Sequence, residues 1–257
     1  MKSPFTAKTL SFLRSLKRNN DREWFRIRKA QYEEHVRGPM VALLDRLAVD
    51  LRSFAPELVC EPRVSLYRIY RDTRFSADKS PLKTHVAAHF PPRGFPRGEG
   101  AGLYFHVAPS EVWIGGGLYM PSSSDLRLIR EHIAANHKGL SRIVNGAMFR
   151  QAVGTLDGEQ LSTMPRGYLK VHPAAHYLRF KQFLAGREFE AAFATDDRFH
   201  SELLNIFRAV APLVRFLNVP LVEQRRGIMQ AHPRRNHADV PDPQQDARHP
   251  RSKASRW

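Results

Sequence analysis

Apolar positions along the first third of the chain recur at helical spacing. Pro4 and Thr6 mark a helix start, and Leu10, Leu13 and Leu16, with Phe12 beside them, form one face. Asn19-Asn20-Asp21 stops that helix and caps a second, which opens near Arg22 and carries Trp24, Phe25, Tyr32 and Val36. Gly38-Pro39 interrupts it, because proline lacks an amide donor and clashes with the preceding turn. Helical spacing resumes through Met40, Leu43, Leu44, Leu47 and Leu51 and closes at Pro56.

The period then changes. Val64, Leu66 and Ile69 predict a strand over 63–70, and His85 to Phe90 a second. Leu103 to Val107 and Val112 to Tyr119 predict two more, joined as a hairpin at Ala108-Pro109-Ser110. The Pro- and Gly-rich stretch from Pro91 to Gly102 predicts a mobile loop. Helical spacing returns with Leu126, Ile129 and Ile133 after Pro121 and Ser124, and again over Leu140 to Ala152. Turn residues from Gly154 to Gly167 lead to a helix started by Pro173, and Arg198 to Leu217 predicts the last strong helix. Strands that run together between helix blocks predict an α+β domain: an antiparallel sheet of about four or more strands, flanked by N-terminal and C-terminal helices.

The apolar pattern ends after Val222. Residues 225–257 are rich in Arg, Pro, His, Gln and Asp, which predicts one domain over 1–224 and a basic disordered tail over 225–257. The tail holds eight Arg or Lys against three Asp, a net +5 of the chain's formal +16, so the domain itself carries +11. A field of that sign favours anionic partners, either small molecules or nucleic acid. No run approaches the roughly 18 consecutive apolar residues of a membrane helix, and the N-terminus lacks a signal-peptide plan. The expectation is a cytoplasmic protein with no membrane insertion. A single cysteine, Cys60, excludes an internal disulfide and reads as a packed structural thiol.

The densest chemistry is the run RIYRDTRFSADKSPLKTH, Arg68 to His85. It holds Arg68, Arg71, Arg74, Lys79, Lys83 and His85 against Asp72 and Asp78, at a strand–loop–strand junction. Guanidinium forks and an ammonium can converge on one anion there, with Arg22 and Lys181 as contributors from neighbouring elements. His85 has the ordinary acidity for proton transfer near neutrality, and Asp72 and Asp78 can orient an arginine. The competing reading is a loop stitched by Arg–Asp pairs, each worth about 0–1 kcal/mol when exposed. Twelve histidines raise a metal site, with His85, His89 and His106 on adjacent strands, yet HExxH is missing and Pro173 separates His172 from His176. No metal is expected, and the sequence names no cofactor. Gly115-Gly116-Gly117 matches neither GxGxxG nor a P-loop and reads as a place of close approach by a backbone or a ligand.

Four segments, NNDREWF at 19–25, the 68–85 run, GGGLYMP at 115–121 and PRGYLKVHP at 165–173, resemble the domain of unknown function 2461 family of conserved hypothetical bacterial proteins. The resemblance spans residues 5–222 and ends in the helix at 209–218. It implies a single α+β domain and brings no activity with it. Arg68, Arg71, Asp72, Arg74, Phe75, Asp78, Lys79, Pro81, Lys83 and His85 match the family's central motif. Val171 departs from it, since relatives often carry an acidic residue just before the His-Pro pair.

Three functions follow as alternatives. One is a protein that binds a phosphate-bearing or other anionic ligand in a basic pocket, with or without catalysis. The second is a nucleic-acid binder using loop and tail. The third is a structural or protein-interaction module with a salt-bridged basic loop.

Overall fold

The computed structural model describes residues 2–74, 77–96 and 98–231. Phe75 and the tail from 232 onward, both named above, lie outside the described residues.

The chain opens with helices α1 (Ala7–Arg18), α2 (Arg22–Ile27) and α3 (Lys29–Tyr32), a π-helical turn at Glu33–Arg37, and α4 (Gly38–Leu51). Asp21 caps α2 by accepting from the amides of Glu23 and Trp24 at 2.8 and 2.9 Å. Pro39 falls in the first turn of α4, where its missing amide is harmless. The buried Thr9 hydroxyl donates to the His35 carbonyl in the π turn at 2.6 Å, which ties α1 to that turn.

A single helical turn, α5 (Pro62–Ser65), follows. The expected strand over 63–70 is therefore not present. Ser65 closes the turn, donating from Oγ to the Val59 carbonyl and accepting from the Glu61 amide. Beyond it only isolated bridges form, Leu66 with Ala88 and Tyr70 with Leu82.

Strands β1 (Val86–Phe90), β2 (Gly102–Val107), β3 (Glu111–Leu118) and β4 (Phe183–Glu190) form one antiparallel sheet in sequential order. Helices α6 (Ser123–Asn145), α7 (Ala147–Val153) and α8 (Ala175–Leu178) lie between β3 and β4 in the chain. A 3₁₀ turn at Ala191–Thr195 and α9 (Phe199–Ala231) follow β4. The domain is α+β as expected, but its fourth strand is β4 rather than 63–70. The segment after Pro173 holds only the short α8 before β4 begins. The boundary drawn at 224 falls inside α9.

Alternation along the strands gives the sheet two unlike faces. Val86, Ala88, Phe90, Leu103, Phe105, Val107, Val112, Ile114, Leu118, Phe183 and Ala185 make one, and all are buried. Helix α9 covers it: Phe207 meets Phe90 edge-on at 5.4 Å, and Phe199 meets Phe105 at 6.3 Å. The span Phe199–Gly227 is long and apolar enough to cross a membrane, but most of its apolar window is buried in this fold.

Asn218 on α9 joins the helix to the start of β2. Its side chain accepts from the Ala101 amide at 2.8 Å and donates to the Ala101 carbonyl at 2.9 Å, both out of solvent. Replacing it as Asn218→Leu leaves both backbone groups unpaired. That change is expected to lower stability by on the order of 2 kcal/mol in a urea unfolding curve, with the slope unchanged.

Candidate functional site

The opposite face of the sheet carries Ala87 and His89 from β1, Gly102, Tyr104 and His106 from β2, Trp113, Gly115 and Gly117 from β3, and Leu184 and Gly186 from β4. A cavity of about 520 Å³ opens there, with Tyr104, His106 and Trp113 in its wall and Lys83, His85 and Tyr67 alongside them.

Glycine makes the space. A Cβ on Gly186 would stand 2.2 Å from the Trp113 ring, and one on Gly115 would stand 2.7 Å from it. The indole therefore lies against bare backbone. The Gly115 Cβ would also fall 2.2 Å from the Ala185 carbonyl, so β3 and β4 approach each other there as well. At Gly102 a Cβ would meet His89 Nε2 at 2.4 Å. Gly117 has φ of +130° and would collide with the Phe183 carbonyl at 2.0 Å. The close approach read from Gly115-Gly116-Gly117 is thus made by β4 and by an aromatic ring.

The family's central run forms a strap beside β1. Its two legs, 66–71 and 81–85, are paired by the Arg71 amide to the Pro81 carbonyl at 2.9 Å and the Lys83 amide to the Ile69 carbonyl at 2.8 Å. The Tyr67 amide donates to Ala87 of β1 at 3.0 Å. Asn20 clamps the returning leg: it accepts from the Leu82 amide at 3.0 Å and donates to the Leu82 carbonyl at 2.9 Å. These bonds bring Tyr67, Lys83 and His85 to the cavity, with the Lys83 ammonium 4.6 Å above the Tyr67 ring.

The remaining charges of the run go elsewhere. Arg71 pairs with Asp78. Arg74 makes a two-pronged pair with Asp72 at 3.0 and 2.8 Å. Lys79 donates to the Thr73 carbonyl at 2.9 Å. Arg68 is exposed beside a shallow groove with Tyr70 and Glu33. Arg22 is exposed on α2, and Lys181 pairs with Glu159 at 2.6 Å. Of the eight expected ligand-binding residues, Lys83 and His85 line the cavity. Asp72 and Asp78 hold arginines, and neither lines it.

Burial sets the protonation of the wall. His85 is pushed down from 6.5 to about 4, first by desolvation and then by the fields of His106, Lys83 and Arg71. Desolvation also lowers His106, while Glu111 pulls it upward. Burial raises the Tyr104 phenol. Near neutral pH His85 and His106 are therefore neutral, and Lys83 is the only ammonium or guanidinium among the described residues lining the cavity.

Elsewhere, Cys60 donates to the Leu44 carbonyl at 3.3 Å, and burial raises its thiol to about 12, so it is inert packing. Phe25 is buried, and Trp24 packs on the core with Arg28 over its ring at 4.6 Å. Among the described residues no group of three His, Cys, Asp or Glu is arranged to hold a metal ion.

Sequence reasoning missed Tyr67, Tyr104, Trp113 and Gly186. Tyr104 and His106 did leave a signal, since they alternate with the core residues Leu103, Phe105 and Val107.

Two predictions follow from this geometry. Gly186→Ala is expected to destabilise the protein by about 1–3 kcal/mol through overpacking on Trp113, and much less in a Trp113→Ala background. A double-mutant cycle in urea checks the coupling. For His85, a folded value below the unfolded one means that stability is full above pH 6.5 and falls as pH drops toward 4. His85→Gln is expected to remove on the order of 2 kcal/mol of that acid-side loss, read from unfolding free energies across the same window.

Compared with curated proteins, the chain matches none. The model of a family described as conserved hypothetical protein (DUF2461) matches residues 8–216, and by that match the chain belongs to this family.

Proposed function

We propose that the cavity binds a small organic anion with a planar, aromatic or heteroaromatic body and one negative group. The observation that carries this reading is the combination of a glycine-floored, aromatic wall with a single ammonium, Lys83, among the described lining residues. The volume of about 520 Å³ lies in the range of small-ligand pockets. Tyr67, Tyr104 and Trp113 offer ring faces and edges for stacking. Lys83 and His85 offer donors to a carboxylate or a singly charged phosphate ester. A polyphosphate would need several cations, and Arg71 and Arg74 are paired with Asp78 and Asp72 outside the lining. Those pairs favour a second role for the tip of the run, which is to fix the strap.

Tryptophan fluorescence tests the reading with benzoate, indole carboxylate and phenyl phosphate as probes, against ATP and a random DNA duplex. The planar monoanions are expected to quench emission, and the quench is expected to vanish in Trp113→Phe. Lys83→Met is expected to weaken binding about tenfold or more, the worth of one charge-assisted hydrogen bond. Absence of binding by all three planar anions, or equal affinity in Lys83→Met, would refute it. Tighter binding of the duplex would favour the nucleic-acid reading. Arg74→Ala is expected to leave affinity unchanged.

A further inference from the structure

Two residues of the cavity wall, Tyr104 and His106, are followed by a third polar group, Glu111. Tyr104 and His106 are two apart on β2 and share its cavity face. The Tyr104 hydroxyl lies 3.1 Å from His106 Nδ1. On the far side of the imidazole, Nε2 stands 3.6 Å from Glu111 Oε1, an ion-pair rather than a hydrogen-bond distance. Glu111 begins β3 and is itself held by the Ser110 hydroxyl.

This order fixes the direction of the protons. A carboxylate beside Nε2 favours the tautomer with its proton there, which leaves Nδ1 as an acceptor. Tyr104 must then be the donor in the Tyr104–His106 bond, and its oxygen lone pairs are left for another partner. An acceptor oxygen backed by an imidazole, which is in turn backed by a carboxylate, is the arrangement that activates a weak base or nucleophile.

Resting on the binding reading above, we propose that Tyr104 is a catalytic base that deprotonates the bound anion, with His106 taking up the Tyr104 proton and Glu111 as the positioning residue. In the step, an acidic C–H of the ligand gives its proton to Tyr104 Oη while the phenol proton moves to His106 Nδ1. The C–H electron pair stays on the ligand as a delocalised anion, and Tyr104 ends neutral. The imidazolium is stabilised by Glu111, and the new negative charge faces a wall that contains Lys83. The substrate class is therefore a planar acid bearing a C–H activated by an adjacent carbonyl or ring heteroatom.

The groups around the pair fit this assignment. A phenol whose ionisation burial opposes does not lose its proton alone, so the transfers must be coupled. His85, 5.4 Å from His106 between ring centres, is too weak a base to compete at neutral pH. The charged and titratable groups acting on His106 are Glu111 from β3, Glu188 from β4, Tyr104 on its own strand and His85 from the strap. Both glutamates raise its affinity for a proton.

Nitrobenzisoxazole is a planar probe for such a base. Loss of its activated ring proton breaks the N–O bond and releases a coloured cyanophenolate, with no co-reactant. The full-length protein is expected to turn it over faster than buffer and to saturate. Tyr104→Phe and His106→Gln are each expected to lower kcat by about a hundredfold with KM little changed, the usual worth of a positioned base. Two such variants guard against one that fails to fold. Glu111→Gln is expected to lower kcat and also to move the acid limb of the pH–rate profile to lower pH. His106 must be neutral to accept, and loss of Glu111 lowers its pKa. A merely structural Glu111 would leave that limb in place. Quenching of Trp113 by the probe without turnover, or turnover that survives Tyr104→Phe, overturns the proton-transfer assignment and leaves the binding reading standing. No quenching by the probe or by the planar anions overturns both.

Discussion

The contact on which the site depends is that of the Trp113 indole with the bare backbone of Gly186 and Gly115. With any side chain at either glycine, the ring would have to stand away from the sheet and fill the cavity. Glycine within a strand costs roughly 0.5–1 kcal/mol against alanine. The four glycines on this face, Gly102, Gly115, Gly117 and Gly186, therefore cost about 2–4 kcal/mol together. The other face can offset that, since one fully buried Phe, Leu or Val contributes about 1.5–3 kcal/mol and β1 to β4 bury eight of these types there. One face of the sheet thus stabilises the fold, and the other is left open at its expense.

The longer helices and three of the strands were legible because each is coded locally. Leu10, Leu13 and Leu16 repeat at helical spacing, and Leu103, Phe105 and Val107 alternate. β4 was not, because Gly186, Arg187 and Glu188 break the alternation of FLAGREFE in its middle. Its pairing with β3 is a long-range fact: Gly115 faces Gly186 across the ladder. The 63–70 segment misled for the opposite reason. Its β-branched and aromatic residues have strand propensity, but Pro62 fits the first turn of a helix and Ser65 closes that turn. Tertiary pairing decided the first case, and local turn chemistry the second.

The site was legible in part. The sequence marked Arg68 to His85 as one unit, and the structure makes it a strap. It could not show that Tyr67 and Lys83 meet, because that depends on the bridge of Tyr70 with Leu82 and on the Asn20 clamp from another element. Nor did composition reveal which charges cancel. Arg71 and Asp78 are seven residues apart, and neither lies in a helix or strand whose period would predict an encounter. The density of basic residues therefore exaggerated the charge available at any one point.

That cancellation changes what charge can do here. Exposed pairs such as Arg74–Asp72 are screened and contribute little. An ammonium at the edge of a desolvated, aromatic wall is different. At about 4 Å two unit charges interact by roughly 1 kcal/mol in water but about 4 kcal/mol at the effective dielectric of a protein surface. The same desolvation that keeps His85 neutral would strengthen the pull of Lys83 on a bound anion. It would also make a second unpaired negative charge costly, since no other ammonium or guanidinium lies among the described lining residues. Under the binding reading, selectivity for a single charge thus comes from the dryness of the wall as much as from the lysine. The proposed proton transfer would obey the same constraint: charge formed on a ligand would stay near Lys83, and the proton would leave toward Glu111.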